Sequence, residues 1–191
     1  MNKLIQRGNA KLGKDMYMFN LPANKKVCNR VCNGCYAVKE QTRWPAVTKA
    51  RQLRYDASLQ LDFVSRIKSE LASLKTPPKY FRVHSSGEFY DDAYVSKWHS
   101  IASAFPNITF FAYTKRKKDF NFEKLEALPN FILIDSFHFG RLNYSTLDKA
   151  PTNAFICPDQ KGATNVQCGT TCTWCQTKGC ADTKGVFFVK H

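Results

Sequence analysis

Tyr80-Phe-Arg-Val83, His84-Ser-Ser-Gly-Glu88, Asp91-Asp-Ala-Tyr-Val-Ser-Lys-Trp-His-Ser-Ile-Ala-Ser-Ala104 and Ile108-Thr-Phe-Phe-Ala-Tyr113 follow one another along the chain. They read as a strand, a loop, a helix and a second strand. Tyr94, Trp98, Ile101 and Phe105 recur at threes and fours, which places them on one helical stripe, and Pro106-Asn107 stops the helix. Ile108–Tyr113 is almost wholly apolar, as a strand covered on both faces must be. A strand, a covering helix and a further strand predict a parallel βαβ unit of right-handed crossover.

The same alternation extends outward. Upstream, Asp15–Leu21 is strand-sized and Pro22 ends it, while residues 1–14 read as a loosely held basic arm. Pro45–Leu74 predicts one helix, with Val47, Ala50, Leu53, Ala57, Leu61, Val64, Ile67 and Leu71 on its apolar face and Thr76-Pro77-Pro78 at its end. Downstream come a short helix over Phe120–Leu128, a strand over Phe131–Ile134, a helical turn near Ser145–Lys149, and strands over Asn153–Ile156 and Val186–Val189. Six strands with shortening helices predict an α/β fold: a partial (β/α)6 barrel-like parallel sheet over residues 1–156. Residues 157–191 form a cysteine-rich, metal-binding C-terminal extension packed on the same domain. An open doubly wound sheet is the alternative.

With 191 residues the chain suits one domain, and 43% hydrophobic and 14% aromatic residues exclude a disordered polymer. The N-terminus has no apolar signal segment and no stretch reaches the length of a membrane span, so a cytoplasmic location without membrane contact is expected. In that compartment eight cysteines point to metal rather than to disulfides. The formal charge of +14 favours polyanions, nucleic acid or nucleic-acid-bound machinery among them, although no nucleic-acid-binding motif accompanies it. Lys115-Arg116-Lys117-Lys118 reads as a solvated loop.

Reactive side chains collect at the predicted strand ends. Cys28, Cys32 and Cys35 follow the first strand with spacings of three and two intervening residues, and Tyr36 follows them. Three thiolates can hold three irons of a cubane cluster and leave the fourth without a protein ligand; zinc, a disulfide, or a cluster closed by a ligand from elsewhere are the alternatives. Ser85-Ser86-Gly87-Glu88 follows the next strand, with a glycine that permits close backbone approach and a carboxylate able to accept from an ammonium group. Thr114 and Lys115, then Ser136 and His138, follow the next two; His84 and His138 are the candidates for proton transfer. In the extension, Cys168-Gly-Thr-Thr-Cys172-Thr-Trp-Cys175 repeats the spacing. Cys157, Cys168, Cys172 and Cys175 are the preferred four ligands of a second centre, with Cys180 as a substitute and zinc as the competing metal.

The C-x3-C-x2-C triplet resembles the signature of the radical S-adenosylmethionine (SAM) superfamily. That resemblance implies a [4Fe–4S] cluster on Cys28, Cys32 and Cys35, reductive cleavage of SAM, a partial (β/α)6 barrel and an electron donor. It also implies contacts to SAM from Tyr36, Ser85, Ser86, Gly87, Glu88, Thr114 and Ser136. The chain departs from the superfamily pattern at Gly34, where an aromatic residue usually precedes the third cysteine, and at Ser86, which replaces a glycine. The C-terminal cysteines are similar to those of auxiliary clusters in the same superfamily. A more local resemblance runs through Val-Cys…Cys-Tyr-Ala, Arg-Val-His-Ser-Ser-Gly-Glu-Phe, Phe-Ala-Tyr-Thr-Lys and Val-Phe-Phe-Val-Lys-His. These are similar to a small phage-encoded family, gene product eighty-eight, which names no reaction.

Overall fold

The computed structural model describes residues 3–8, 16–29, 34–135, 155–156 and 186–187. Its centre is a sheet of five strands in the order β1 (Gln6–Arg7), β2 (Met16–Phe19), β3 (Tyr80–Val83), β4 (Thr109–Thr114) and β5 (Phe131–Asp135). β2 to β5 are mutually parallel and lie side by side in chain order, as the alternation of strands and helices predicts. A doubly wound sheet requires the order to reverse, and these strands show no reversal.

Register explains the core. Phe81 pairs with Phe110 and Phe110 with Phe131, while Phe19, Val83, Ala112 and Leu133 align one step further along. Laterally paired residues share a face, so these rows form one apolar surface. Onto it pack α4 (Phe63–Ala72), α5 (Asp92–Ser103) and α6 (Glu123–Glu126), through Phe63, Ile67 and Leu71, then Tyr94, Trp98 and Ile101, then Leu125. Trp98 is fully buried, with ring centroids 5.5 Å from Phe19, 5.7 Å from Phe81 and 6.0 Å from Phe63. Truncating such an aromatic residue costs about 3–5 kcal/mol.

The ends of α5 are closed by side chains. Asp91, in extended conformation, accepts from the Tyr94 N–H at 2.6 Å and so satisfies one of the helix's unpaired donors. At the other end the two N–H groups of the Asn130 amide are shared among the carbonyls of Ala102, Phe105 and Ile108, each 3.0–3.1 Å from the amide nitrogen.

Three expectations change. The predicted helix over residues 45–74 is two helices, α3 (Pro45–Leu59) and α4, broken at Gln60-Leu61-Asp62, with Leu61 fully exposed although the periodicity puts it on the apolar face. The break lets α4 lie against α5. Two shorter helices, α1 (Lys25–Cys28) and α2 (Tyr36–Arg43), precede α3 and were not anticipated.

The expected loose arm is pinned between its ends. Leu4 and Ile5 are buried, their N–H groups donate to the Glu70 carboxylate at 2.8–2.9 Å, and β1 pairs antiparallel with β2. This pairing covers the outer edge of β2. The described strands form an open sheet, not a barrel: β6 (Phe155–Ile156) and β7 (Val186–Phe187), expected as the last barrel strands, pair parallel with each other in a separate sheet. No helix among the described residues is long and apolar enough to cross a membrane.

Candidate functional site at the strand ends

The loop after β3 is built inward from its backbone. After Val83 the next side chain would point away from the helix layer, but His84 takes a left-handed φ of 65°, uncommon for a non-glycine residue. Its ring consequently enters the aromatic core, stacks on Tyr94 at 5.6 Å and meets the edge of Phe89 at 4.9 Å. Nε2 lies 2.8 Å from the Tyr94 hydroxyl, and Nδ1 has no partner among the described residues. Burial, helped by the nearby Arg82 charge, pushes the imidazole down to about 3, so it is neutral at pH 7. Such a ring is a core hydrogen bonder, not the exposed proton carrier the sequence invites.

Asn20, just past β2, holds the next two residues. Its Oδ1 accepts from the N–H groups of Ser85 at 2.7 Å and Ser86 at 3.2 Å. The Ser86 hydroxyl donates to the Leu21 carbonyl at 2.9 Å, and the Leu21 N–H donates back to the Ser86 carbonyl at 2.9 Å. Gly87, at φ 86°, lies so close to Leu21 that a Cβ would stand 2.5 Å from the Leu21 Cβ. The close approach that glycine permits is therefore between two strand ends of the protein itself.

Glu88 is buried and fully engaged. Oε1 accepts from the Phe89 N–H at 2.8 Å and the Thr114 hydroxyl at 2.9 Å, and Oε2 from the Lys115 N–H at 2.9 Å. Burial pushes its carboxyl above the usual range, while these donors and the Arg116 charge oppose that shift. Glu88 thus fastens the end of β3 to the end of β4.

The cysteine segment lies against this bracket. Asn24 caps α1 by accepting from the Val27 N–H at 3.1 Å, and Cys28 closes that single turn. Cys35 immediately precedes α2 and accepts from the Lys39 N–H through its carbonyl at 3.2 Å. Both thiols are half-buried. Buried Arg51 of α3 donates to the Ala37 carbonyl at 3.0 Å and Gln41 Oε1 at 3.2 Å and pairs with Glu40, which locks α2 onto α3. The Tyr36 hydroxyl donates to the Ser85 carbonyl, joining α2 to the loop after β3. Arg116 donates to the carbonyls of Phe89 at 3.3 Å and Val27 at 3.5 Å, joining α1 to the ends of β3 and β4.

Of the residues picked out in the sequence, hydrogen bonds join Tyr36 to Ser85 and Thr114 to Glu88, and Cys35 directly precedes Tyr36; among the described residues no three side chains of His, Cys, Asp or Glu are grouped to hold a metal ion. Sequence reasoning misses Asn20, Arg51 and Arg116. Arg116 belongs to the run read as a solvated loop, yet it pairs with Asp119 at 2.7 Å and covers Phe120 at 4.4 Å; Lys117 pairs with Glu126. Ser136, His138, Cys32, Cys157, Cys168, Cys172, Cys175 and Cys180 lie outside the described residues.

The family model described as Gene product 88 matches residues 3–179. The chain belongs to the Gene product 88 family. Two curated Gene 88 proteins are similar to it: that of Mycobacterium phage D29 is 31% identical over 107 residues, and that of Mycobacterium phage L5 is 30% identical over 107 residues. Each match covers 51% of this chain and 43% of the relative, so the chain spans less than half the length of these phage proteins. No solved structure matches. The family assignment bears out the phage-protein resemblance read from the motifs; the family's name states no reaction.

Proposed function

We propose that this Gene product 88 protein is an iron–sulfur protein of the radical SAM kind, with the [4Fe–4S] cluster on Cys28, Cys32 and Cys35. The observation that carries this reading is the setting of the triplet. Its first and last thiols stand at the ends of two anchored helices, beside a parallel sheet's carboxyl edge where ligands of α/β proteins gather. Three thiolates with no fourth cysteine in the same loop suit a cubane with one open iron. Bound there, the cluster would supply one-electron reduction of the sulfonium of SAM.

The chain's own share is positioning. Asn20 and the Tyr36 hydroxyl fix the Ser85–Ser86 backbone, and Glu88 with Thr114 keeps two strand ends in register. Of the residues expected to contact the cofactor, Tyr36, Ser85 and Ser136 are the proposed contacts, while Ser86, Gly87, Thr114 and Glu88 support them through internal packing and hydrogen bonds. The sequential winding of β2 to β5 is the order that the first strands of a partial (β/α)6 barrel would take. A second centre on Cys157, Cys168, Cys172 and Cys175, with Cys180 as substitute, would hold a [4Fe–4S] cluster or zinc. The protein would act in the host cytoplasm with an electron donor.

One observation favours a second reading. Glu88 and His84, titratable residues beyond the end of β3 that the sequence offers for chemistry, are buried with internal partners, which suits a non-catalytic iron–sulfur or zinc protein that docks on nucleic acid or a host protein. Anaerobic reconstitution separates the two. The enzyme reading expects iron and sulfide in equal amounts, an electron paramagnetic resonance signal after dithionite that SAM perturbs, and release of 5′-deoxyadenosine. Cys32→Ala should erase the SAM-sensitive signal and leave the C-terminal centre. Protein that binds zinc and no iron, or a cluster indifferent to SAM, would sink the enzyme.

A further inference from the structure

Charge is not spread evenly along this chain. Residues 22–55 carry eight Lys and Arg against one acidic residue, Glu40, and so hold half of the net +14. Glu40 is spent on buried Arg51. Lys25, Lys26, Lys39, Arg43 and Lys49 are exposed, and no ion pair among the described residues involves them. A merely solvated surface mixes both signs evenly, whereas this strip is strongly biased to positive charge.

Aromatic rings stand in the same strip. Spacing on α2 places Tyr36, Lys39 and Arg43 on one helical stripe about 10 Å long, and Trp44 follows at its end. Trp44 is 55% exposed and Tyr36 62% exposed, two of the four large exposed hydrophobic residues among the described ones. The Arg43 guanidinium lies 5.4 Å from the centroid of the Trp44 ring, and the Tyr36 hydroxyl is tied to Ser85. Both rings are therefore held in place, and little side-chain freedom remains to be lost when something stacks on them. Beside Trp44 an open groove of about 740 Å³ runs along α3, with Pro45 and Leu53 as apolar walls and Gln41, Thr48, Lys49 and Gln52 as polar ones. Asp56 lines it too and accepts from Gln52 at 2.8 Å.

We infer that the α2–α3 corner is a binding surface for single-stranded nucleic acid. Lys39, Arg43 and Lys49 neutralise its phosphates, and Trp44, with Tyr36, stacks its unpaired bases. A positive strip interleaved with exposed rings is what sequence-independent binding of a single strand requires, whereas a duplex hides its base faces. Tyr36 borders Cys35, but Lys39, Arg43 and Trp44 are neither proposed metal ligands nor proposed cofactor contacts, so substitutions at these three test the surface separately from the metal centre.

The test is fluorescence anisotropy of a labelled oligothymidylate of about 12 nucleotides, titrated with the intact protein at low and moderate salt. Trp44→Ala is expected to weaken binding about tenfold and Trp44→Phe to restore most of it, as one lost base stack predicts. Lys39→Glu with Arg43→Glu should weaken it more and flatten the salt dependence by about one unit of log–log slope. Lys75→Glu, a single charge reversal on an exposed residue outside the strip, should change affinity less than about twofold. Unchanged circular dichroism and melting certify each variant as folded. Four results would each overturn the inference: no binding by the parent protein, an equal loss in Lys75→Glu, competition by a duplex of the same length as strong as by the single strand, or tighter capture by phosphatidylserine vesicles.

Discussion

The loop after β3 and the segment from α1 to the start of α3 face each other at the same edge of the sheet, and they use polar residues in opposite ways. In His84–Glu88 nearly every polar group is turned inward: Asn20, Leu21, Tyr94, Phe89, Thr114 and Lys115 take up its donors and acceptors. Among the described residues from Lys25 to Arg51 the fold buries Val27, Ala37 and Arg51 and leaves lysines, Tyr36 and Trp44 outward. A motif that looks catalytic can be bracing. Buried polar groups without partners cost more than exposed ones, so the inward loop has little freedom to change.

The two glycines of these regions give the sharpest test of that contrast. Gly87→Ala places a methyl 2.5 Å from Leu21 at φ 86° and should cost more than about 3 kcal/mol in urea unfolding; Gly34→Ala, at φ 73° with nothing among the described residues within 4 Å, should cost only the conformational strain of about 1–2 kcal/mol. Equal losses would erase the distinction. Glu88→Ala should follow, at about 2–4 kcal/mol, because it strands two N–H groups and the Thr114 hydroxyl.

His84 makes the inward loop sensitive to acid. Between pH 3 and the ordinary value of 6.5 the unfolded chain binds a proton that the native ring refuses, so stability is full above pH 6.5 and falls as pH drops toward 3. The expected slope is at most about 1.4 kcal/mol per pH unit. His84→Asn, which tolerates the left-handed φ, should flatten it in unfolding curves taken at pH 7 and 5. Asp91→Ala, a lost helix cap, should lower stability by about 1 kcal/mol and leave that slope unchanged. Trp44→Ala should move stability least, within about 0.5 kcal/mol, while weakening oligonucleotide binding. A large stability loss there would mean that the outward segment is also structural.

The strands Tyr80–Val83 and Phe131–Asp135, the helix after Asp91 and the grouping of Ser85, Glu88 and Thr114 at one edge were all legible beforehand. Each depends on periodicity or on a cap within a few residues. The pinned N-terminal arm was not, because its anchor, Glu70, is 65 residues away from Ile5 and nothing local to Leu4-Ile5 announces it. The break at Gln60-Leu61-Asp62 escaped for the opposite reason. Leu61 continues the helical period, and only the need of α4 to lie on the sheet beside α5 turns it outward.

Residue order by itself determined the parallel α/β framework, the family and the cysteine spacing, since these are written in short-range pattern and composition. Tertiary structure alone decided that Gly87 makes room for Leu21, that Glu88 fastens one strand end to another, and that His84 is a neutral core residue. The reason is that burial and partnership are set by segments distant in the chain, and a side chain's chemistry follows from the groups it meets, not from its neighbours in sequence.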